Sequence, residues 1–208
     1  MRRPIKGAER QPSGRSAHPI VLIVCGGTRT ERRYFEAFPV HALSVRILAE
    51  AFDPVRLVRW AKAERSEEAR RQRCIAAAVE TWCVFDFDPG LHGITADQFQ
   101  AALSTAEAAG IQVAWSNECF EVWYLLHFLP LDAALPRGEY AGRLSARLGV
   151  RYDKAAGDLY DRMLPHQPHA LRHAERLLAE RPGELPHRIN PGTTVHRLVT
   201  RLNRSLRL

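Results

Sequence analysis

Residues 20–25 read Ile-Val-Leu-Ile-Val-Cys and stop at Gly26-Gly27. The run is too short for a bilayer, which takes about 20 apolar residues. Strand side chains alternate between two faces, so a run without a polar residue describes a strand buried on both. A parallel sheet covered by helices on each side is the usual place for such a strand, and the segment predicts an α/β fold.

The chain as far as residue 129 supplies the other parts of that fold. Apolar segments at 45–49, 82–85 and 111–115 read as further strands. Between and after them the pattern predicts helices starting at Thr28, over 66–79, over 95–109 up to Gly110, and over 118–128. Thr28 and Glu31 match a capping box, in which hydroxyl and carboxylate satisfy backbone N–H groups at a helix start, with Tyr34, Phe35 and Phe38 on the apolar face. Ser116-Asn117 suits the cap of the fourth helix. The βα turns of such a sheet gather at one edge, where sites in these folds sit.

From Pro130 onward Pro and Gly separate helical stretches at about 138–148, 152–163, 168–181 and 192–205, with no strand signal and no internal repeat. This predicts a helical C-terminal region, residues 130–208, packed as a cap on an α/β core of residues 19–129. Residues 1–18 combine Pro, Gly, Ser and Arg with few large apolar side chains and are expected to form a mobile basic tail.

Lys and Arg number 30 against 23 Asp and Glu, a net charge of +7. Residues 1–18 hold +4 and residues 188–208 hold +5, which leaves −2 on residues 19–187. The basicity is terminal, and the arginine-rich ends are candidates for phosphate contacts while the body is slightly acidic. Cys25, Cys74, Cys83 and Cys119 show no CxxC spacing and read as small buried thiols, and no histidine group has zinc-ligand spacing. With no apolar run of about 18 residues and no signal-peptide pattern, the chain is expected to be cytoplasmic.

Three predicted turns carry polar groups. Gly26-Gly27-Thr28 can bring backbone N–H groups to a phosphate or simply make a tight turn; the GxxxxGK[ST] spacing of a P-loop is absent. Asp86-Phe87-Asp88 can hold Mg²⁺ through two carboxylates on one side, or cap the Pro89-Gly90 bend. The turn after the fourth strand carries Glu121, either a metal-site carboxylate or an acid stabilised at a helix N-terminus. Glu31 is open to catalysis or capping, and His127 to a core position or a base. Thr193 and Thr194 can serve as helix caps.

Four blocks lie in order along residues 20–205: VCGGTRTERRYF from Val24, FDFD from Phe85, WSNECFEVWYLLHF from Trp115 and NPGTTVHRLV from Asn190. Together they resemble the RloB-like family of prokaryotic proteins, whose core is similar to the Toprim fold. The resemblance implies Toprim-type phosphodiester chemistry, nuclease cleavage in phage defence or abortive infection, often beside an ABC-type or OLD-like ATPase. It further implies that Asp86 and Asp88 hold Mg²⁺ or Mn²⁺. Gly27, Thr28, Ser116, Asn117, Asn190, Thr194 and His196 are then expected near the substrate.

One position departs from the family pattern. Cys-Glu-Gly-x-Thr-Glu becomes Cys25-Gly26-Gly27-Thr28-Arg29-Thr30-Glu31, with Gly26 where a catalytic Glu is expected. Glycine can neither ligate a metal nor move a proton, and Glu31 and Glu121 are the candidate replacements. Three functions follow from the sequence: a metal-dependent nuclease-like subunit acting on DNA or RNA through Glu31, Asp86, Asp88 and Glu121; a catalytically impaired binding module partnering an ATPase; or a plain nucleic-acid-binding protein using its basic ends. Oligomerisation is compatible with each.

Overall fold

The computed structural model describes residues 18–206; the predicted N-terminal tail, apart from His18, lies outside the described residues. Five strands form one sheet: β1 (Ile20–Cys25), β2 (Ser44–Ala49), β3 (Val79–Phe87), β4 (Gln112–Asn117) and β5 (Gly192–Thr193), in the order β2-β1-β3-β4-β5. The first four are parallel and β5 runs antiparallel to β4. As its composition requires, β1 is buried on both sides, with Val21 through Cys25 at 0% exposure.

Two helical layers cover the sheet. Leu22, Val24, Cys83 and Phe85 pack against α2 (Pro54–Gln72) and, after the short α3 (Pro89–His92), α4 (Ala96–Ala108). Val21, Ile23, Cys25, Trp82 and Val84 share the other core with α1 (Thr30–Glu36) and α5 (Glu121–Leu126). That core extends into α6 (Arg137–Leu148), α7 (Leu159–Met163), α8 (Gln167–Ala179) and α9 (Val195–Asn203). The C-terminal region is thus fused to one face of the sheet through apolar side chains such as Tyr140, Met163 and Leu198.

Several local expectations change in the folded chain. Helix α1 is capped by Arg29 without a side-chain hydrogen bond, so the Thr28–Glu31 capping box does not form. Helix α2 begins at Pro54, not Ser66: Asp53 accepts from the Arg56 N–H at 2.9 Å and proline occupies the first turn, where its missing N–H costs nothing. Ser116 and Asn117 belong to β4 and do not cap α5, because β5 gives the end of β4 a partner. Residues 192–193, expected to be helical, form that strand, and the helix follows at Val195. Residues 152–158 stay outside helices, and α7 begins only at Leu159.

Strand order places β1 between β2 and β3. The connection leaving β1 returns to one neighbour and the chain then crosses to the other. A crevice opens at that reversal, outside the carboxyl ends of β1 and β3.

Candidate functional site

A cavity of about 460 Å³ occupies this crevice. Gly26, Gly27 and Thr28 line it from the loop after β1, Phe85 and Asp86 from β3, and Phe120 and Glu121 from the start of α5. Glu31 lines it from α1, and Arg137 and Lys154 reach it from the C-terminal region. Glu31, Asp86 and Glu121, far apart in sequence, thereby share one enclosure with Arg137 and Lys154, and Asp53 and Arg29 line it as well.

Glu31 is buried, and its carboxylate lies so close to Gly27 that a Cβ there would collide with both oxygens. The glycine is needed for that approach, which draws the side chain toward the cavity and away from a capping geometry. Burial pushes the Glu31 pKa up to about 7; neighbouring Glu121 adds to the rise, while its backbone hydrogen bond, Lys154 and Arg137 oppose it. A carboxyl of this kind can exchange a proton near neutral pH.

Asp86 lies on the α1 side of β3, in step with Trp82 and Val84. Its Oδ2 accepts from the Phe120 N–H at 3.2 Å, while its Oδ1 is enclosed without a hydrogen-bond partner. Burial, then the charges of Glu31 and Glu121, hold its pKa well above the usual carboxylate range. An enclosed carboxylate oxygen without a donor is costly, and a cation or a proton relieves that cost.

Glu121 is the carboxylate with built-in partners. Its Oε1 accepts from the Tyr152 hydroxyl at 3.0 Å and pairs with Lys154 Nζ at 3.0 Å. Burial opposes its charge, but Lys154 outweighs that effect with help from backbone and Cys119 hydrogen bonds, so the pKa falls below its ordinary value. Asp88 is buried just beyond β3 and its Oδ2 is paired with Arg137 Nη1. Arg137 lies within electrostatic reach of Asp86, Asp88 and Glu121 together.

Among the described residues no group of three or more His, Cys, Asp or Glu side chains is arranged to hold a metal ion. The donor chemistry of the cavity still fits a hard divalent cation, because Asp86 Oδ1 is an enclosed carboxylate oxygen without a donor and its neighbours are also oxygen acids.

The residues expected at the site divide into three sets. Glu31, Asp86, Glu121, Gly27 and Thr28 converge on the cavity, with Asp88 next to it through Arg137. Ser116, Asn117, Asn190 and Thr194 instead tie the C-terminal segment to β4 and its following loop. Ser116 Oγ meets Thr193 Oγ1 at 3.1 Å, and Asn117 donates to the His187 carbonyl at 3.0 Å. Asn190 donates to Glu118 at 3.2 Å, and Thr194 Oγ1 accepts from the Trp115 N–H at 2.9 Å. His196 lines a different groove, beside Arg197. His127 is a core residue, bonded to the Trp123 carbonyl at 2.9 Å and pushed by burial to a pKa of about 4.

Arg137, Tyr152 and Lys154 escape sequence reasoning. They fall in a region whose local pattern shows only helices and loops, and nothing there signals contact with acids some 16 to 50 residues earlier. The model of a family described as RloB-like protein matches residues 21–202. No curated protein and no solved structure matches the chain.

Proposed function

The chain belongs to the RloB-like protein family, and from that premise we propose that it is a Mg²⁺- or Mn²⁺-dependent hydrolase of nucleic-acid phosphodiesters, acting in phage defence. One observation carries the reading: Glu31, Asp86 and Glu121 line a single cavity with Arg137 and Lys154. Asp86, with Glu121 beside it, would hold the cation, and Asp88, now paired with Arg137, would be a further oxygen donor next to them. A bound divalent ion supplies charge neutralisation and polarisation of a phosphoryl oxygen.

The chain's own groups account for the rest. Glu31, titrating at about 7, takes a proton from water as the water oxygen bonds to phosphorus and the ester P–O bond breaks, and the departing oxygen takes its proton from solvent water. Arg137 and Lys154 face the negative charge of the phosphate. Glu31 also answers the vacancy at Gly26. A side chain at position 26 would start 3.5 Å from Leu57 and Phe85, at the wall of the cavity that Glu31 and Asp86 also line.

Purified full-length chain with Mg²⁺ or Mn²⁺ is expected to cut labelled DNA or RNA. Asp86→Asn and Glu31→Gln are each expected to lower the rate by about 10²-fold or more. A wild type that cuts neither substrate, with Asp86→Asn behaving identically, would overturn the proposal.

A second reading, an impaired binding module beside an ABC-type or OLD-like ATPase, draws support from the glycine at 26 and from the pairing of Asp88 with Arg137. In that case the wild type is silent and Gly26→Glu, whose Cβ fits at ordinary contact distance, gains metal-dependent cleavage. An ATPase encoded next to this chain and copurifying with it supports the partnership in either reading.

A further inference from the structure

Helix α9 carries Arg197 and Arg201, and Arg204 caps its C-terminus with helical backbone, so that the three, spaced four and three residues apart, lie on one side. That side borders a groove of about 550 Å³, lined also by Glu80 and Trp82 of β3 and Gln112 of β4. Glu80, Trp82 and Asp86 alternate onto the same face of β3. The groove and Asp86 of the carboxylate cavity therefore share one face of β3, about 20 Å apart at roughly 3.3 Å per residue.

The three arginines are not equivalent. Arg201 is fixed: its Nε pairs with Glu80 Oε2 at 2.8 Å and its Nη1 donates to Ser205 at 3.0 Å, while Trp82 Nε1 holds the other Glu80 oxygen at 2.9 Å. Arg197 and Arg204 are exposed, and neither has an ion pair among the described residues. Between Arg197 and Arg201 lies Thr200, and beside them is His196, 6% exposed, whose Nδ1 has no hydrogen-bond partner. Burial and the charge of Arg197 keep that imidazole neutral, with a pKa of about 4. The remaining acid of the groove, Glu175 of α8, is also exposed and unpaired among the described residues.

We propose that this groove binds the phosphate backbone of a nucleic acid, with Arg197 and Arg204 contacting phosphates on either side of the fixed Arg201. The inference rests on the reading of nucleic acid as substrate and adds where the strand is held. Seven residues of helix set Arg197 and Arg204 about 10 Å apart along the axis, close to three 3.4 Å steps of one strand. A strand reaching from the groove to the carboxylate cavity needs at least about six nucleotides.

The test is fluorescence anisotropy of the full-length chain with labelled 30-mer single strands and duplexes of DNA and RNA, across a salt series without added divalent ions. Arg197→Gln/Arg204→Gln is expected to weaken binding about 10-fold or more and to reduce the log–log salt slope by about 1.4 on single strands or 1.8 on duplex. Glu175→Gln is expected to tighten binding, since it removes the acid facing the same phosphates. Both sets of side chains are exposed, and an unchanged melting temperature checks the fold. If the wild type binds and the double variant keeps its affinity and slope, the groove assignment is overturned while the proposed function survives. If the wild type binds no nucleic acid, the proposed function and the groove fail together.

Discussion

Against α2 and α4 the sheet buries Leu22, Val24, Cys83, Phe85 and Phe99 in an almost wholly apolar core. Against α1, α5 and the C-terminal helices the other side of the sheet carries buried Glu31 and Glu121 and half-buried Asp86. On this side the hydroxyls of Tyr140 and Tyr160 lack hydrogen-bond partners. One face is assembled for packing, and the other accepts desolvated polar groups that packing alone would exclude. Groups that weaken a fold and yet converge on one cavity mark the face where chemistry belongs.

The largest effect separating the faces is expected at Phe99, which is fully buried and meets Phe85, Phe87 and Trp115 with ring centroids 5.6, 5.0 and 6.4 Å away. Phe99→Ala should cost about 3–5 kcal/mol in denaturant unfolding, with cleavage per folded molecule unchanged. A loss below about 1 kcal/mol would mean that this face is not the packed one.

Glu31 should show the opposite behaviour. Its pKa rises from 4.5 to about 7 on folding, so the folded state binds more protons between those values. Stability should therefore fall as pH rises through that window, by about 1–3 kcal/mol. Glu31→Gln should flatten this part of the profile and be the more stable protein at pH 8. Equal pH slopes for both proteins, in melts from pH 4 to 8, would place Glu31 in water.

The smallest change in stability is expected at Gly27. In Gly27→Ala the new methyl meets only the mobile end of Glu31, so the fold should lose less than about 1 kcal/mol. The carboxylate must swing aside, and cleavage should drop about 10²-fold while the Glu31-dependent pH slope shrinks. Full activity with an unchanged slope would separate Glu31 from the chemistry.

Much of the fold was legible because local pattern and global role agree. The run at residues 20–25 could be only a doubly buried strand, and it spans the predicted residues. The family blocks lie within the matched residues 21–202. Errors occurred where a local signal had a tertiary competitor. Thr28–Glu31 has the letters of a capping box, but Gly27 leaves room for Glu31 to turn toward Asp86. Ser116-Asn117 looks like a helix cap, but a two-residue strand from the far end of the chain claims it. The start of α2 is written in Asp53-Pro54, an N-cap followed by a first-turn proline.

The α/β class, the family and the candidacy of Asp86, Glu31 and Glu121 can be read from the chain's letters, because hydrophobic period and residue type are properties of short segments. That these acids share a cavity, that Arg137, Tyr152 and Lys154 come to them from the helical region, and that His196 belongs to another groove emerge from the folded arrangement alone. Proximity between residues dozens of positions apart is set by strand order and by which face each helix covers, and no local pattern encodes either.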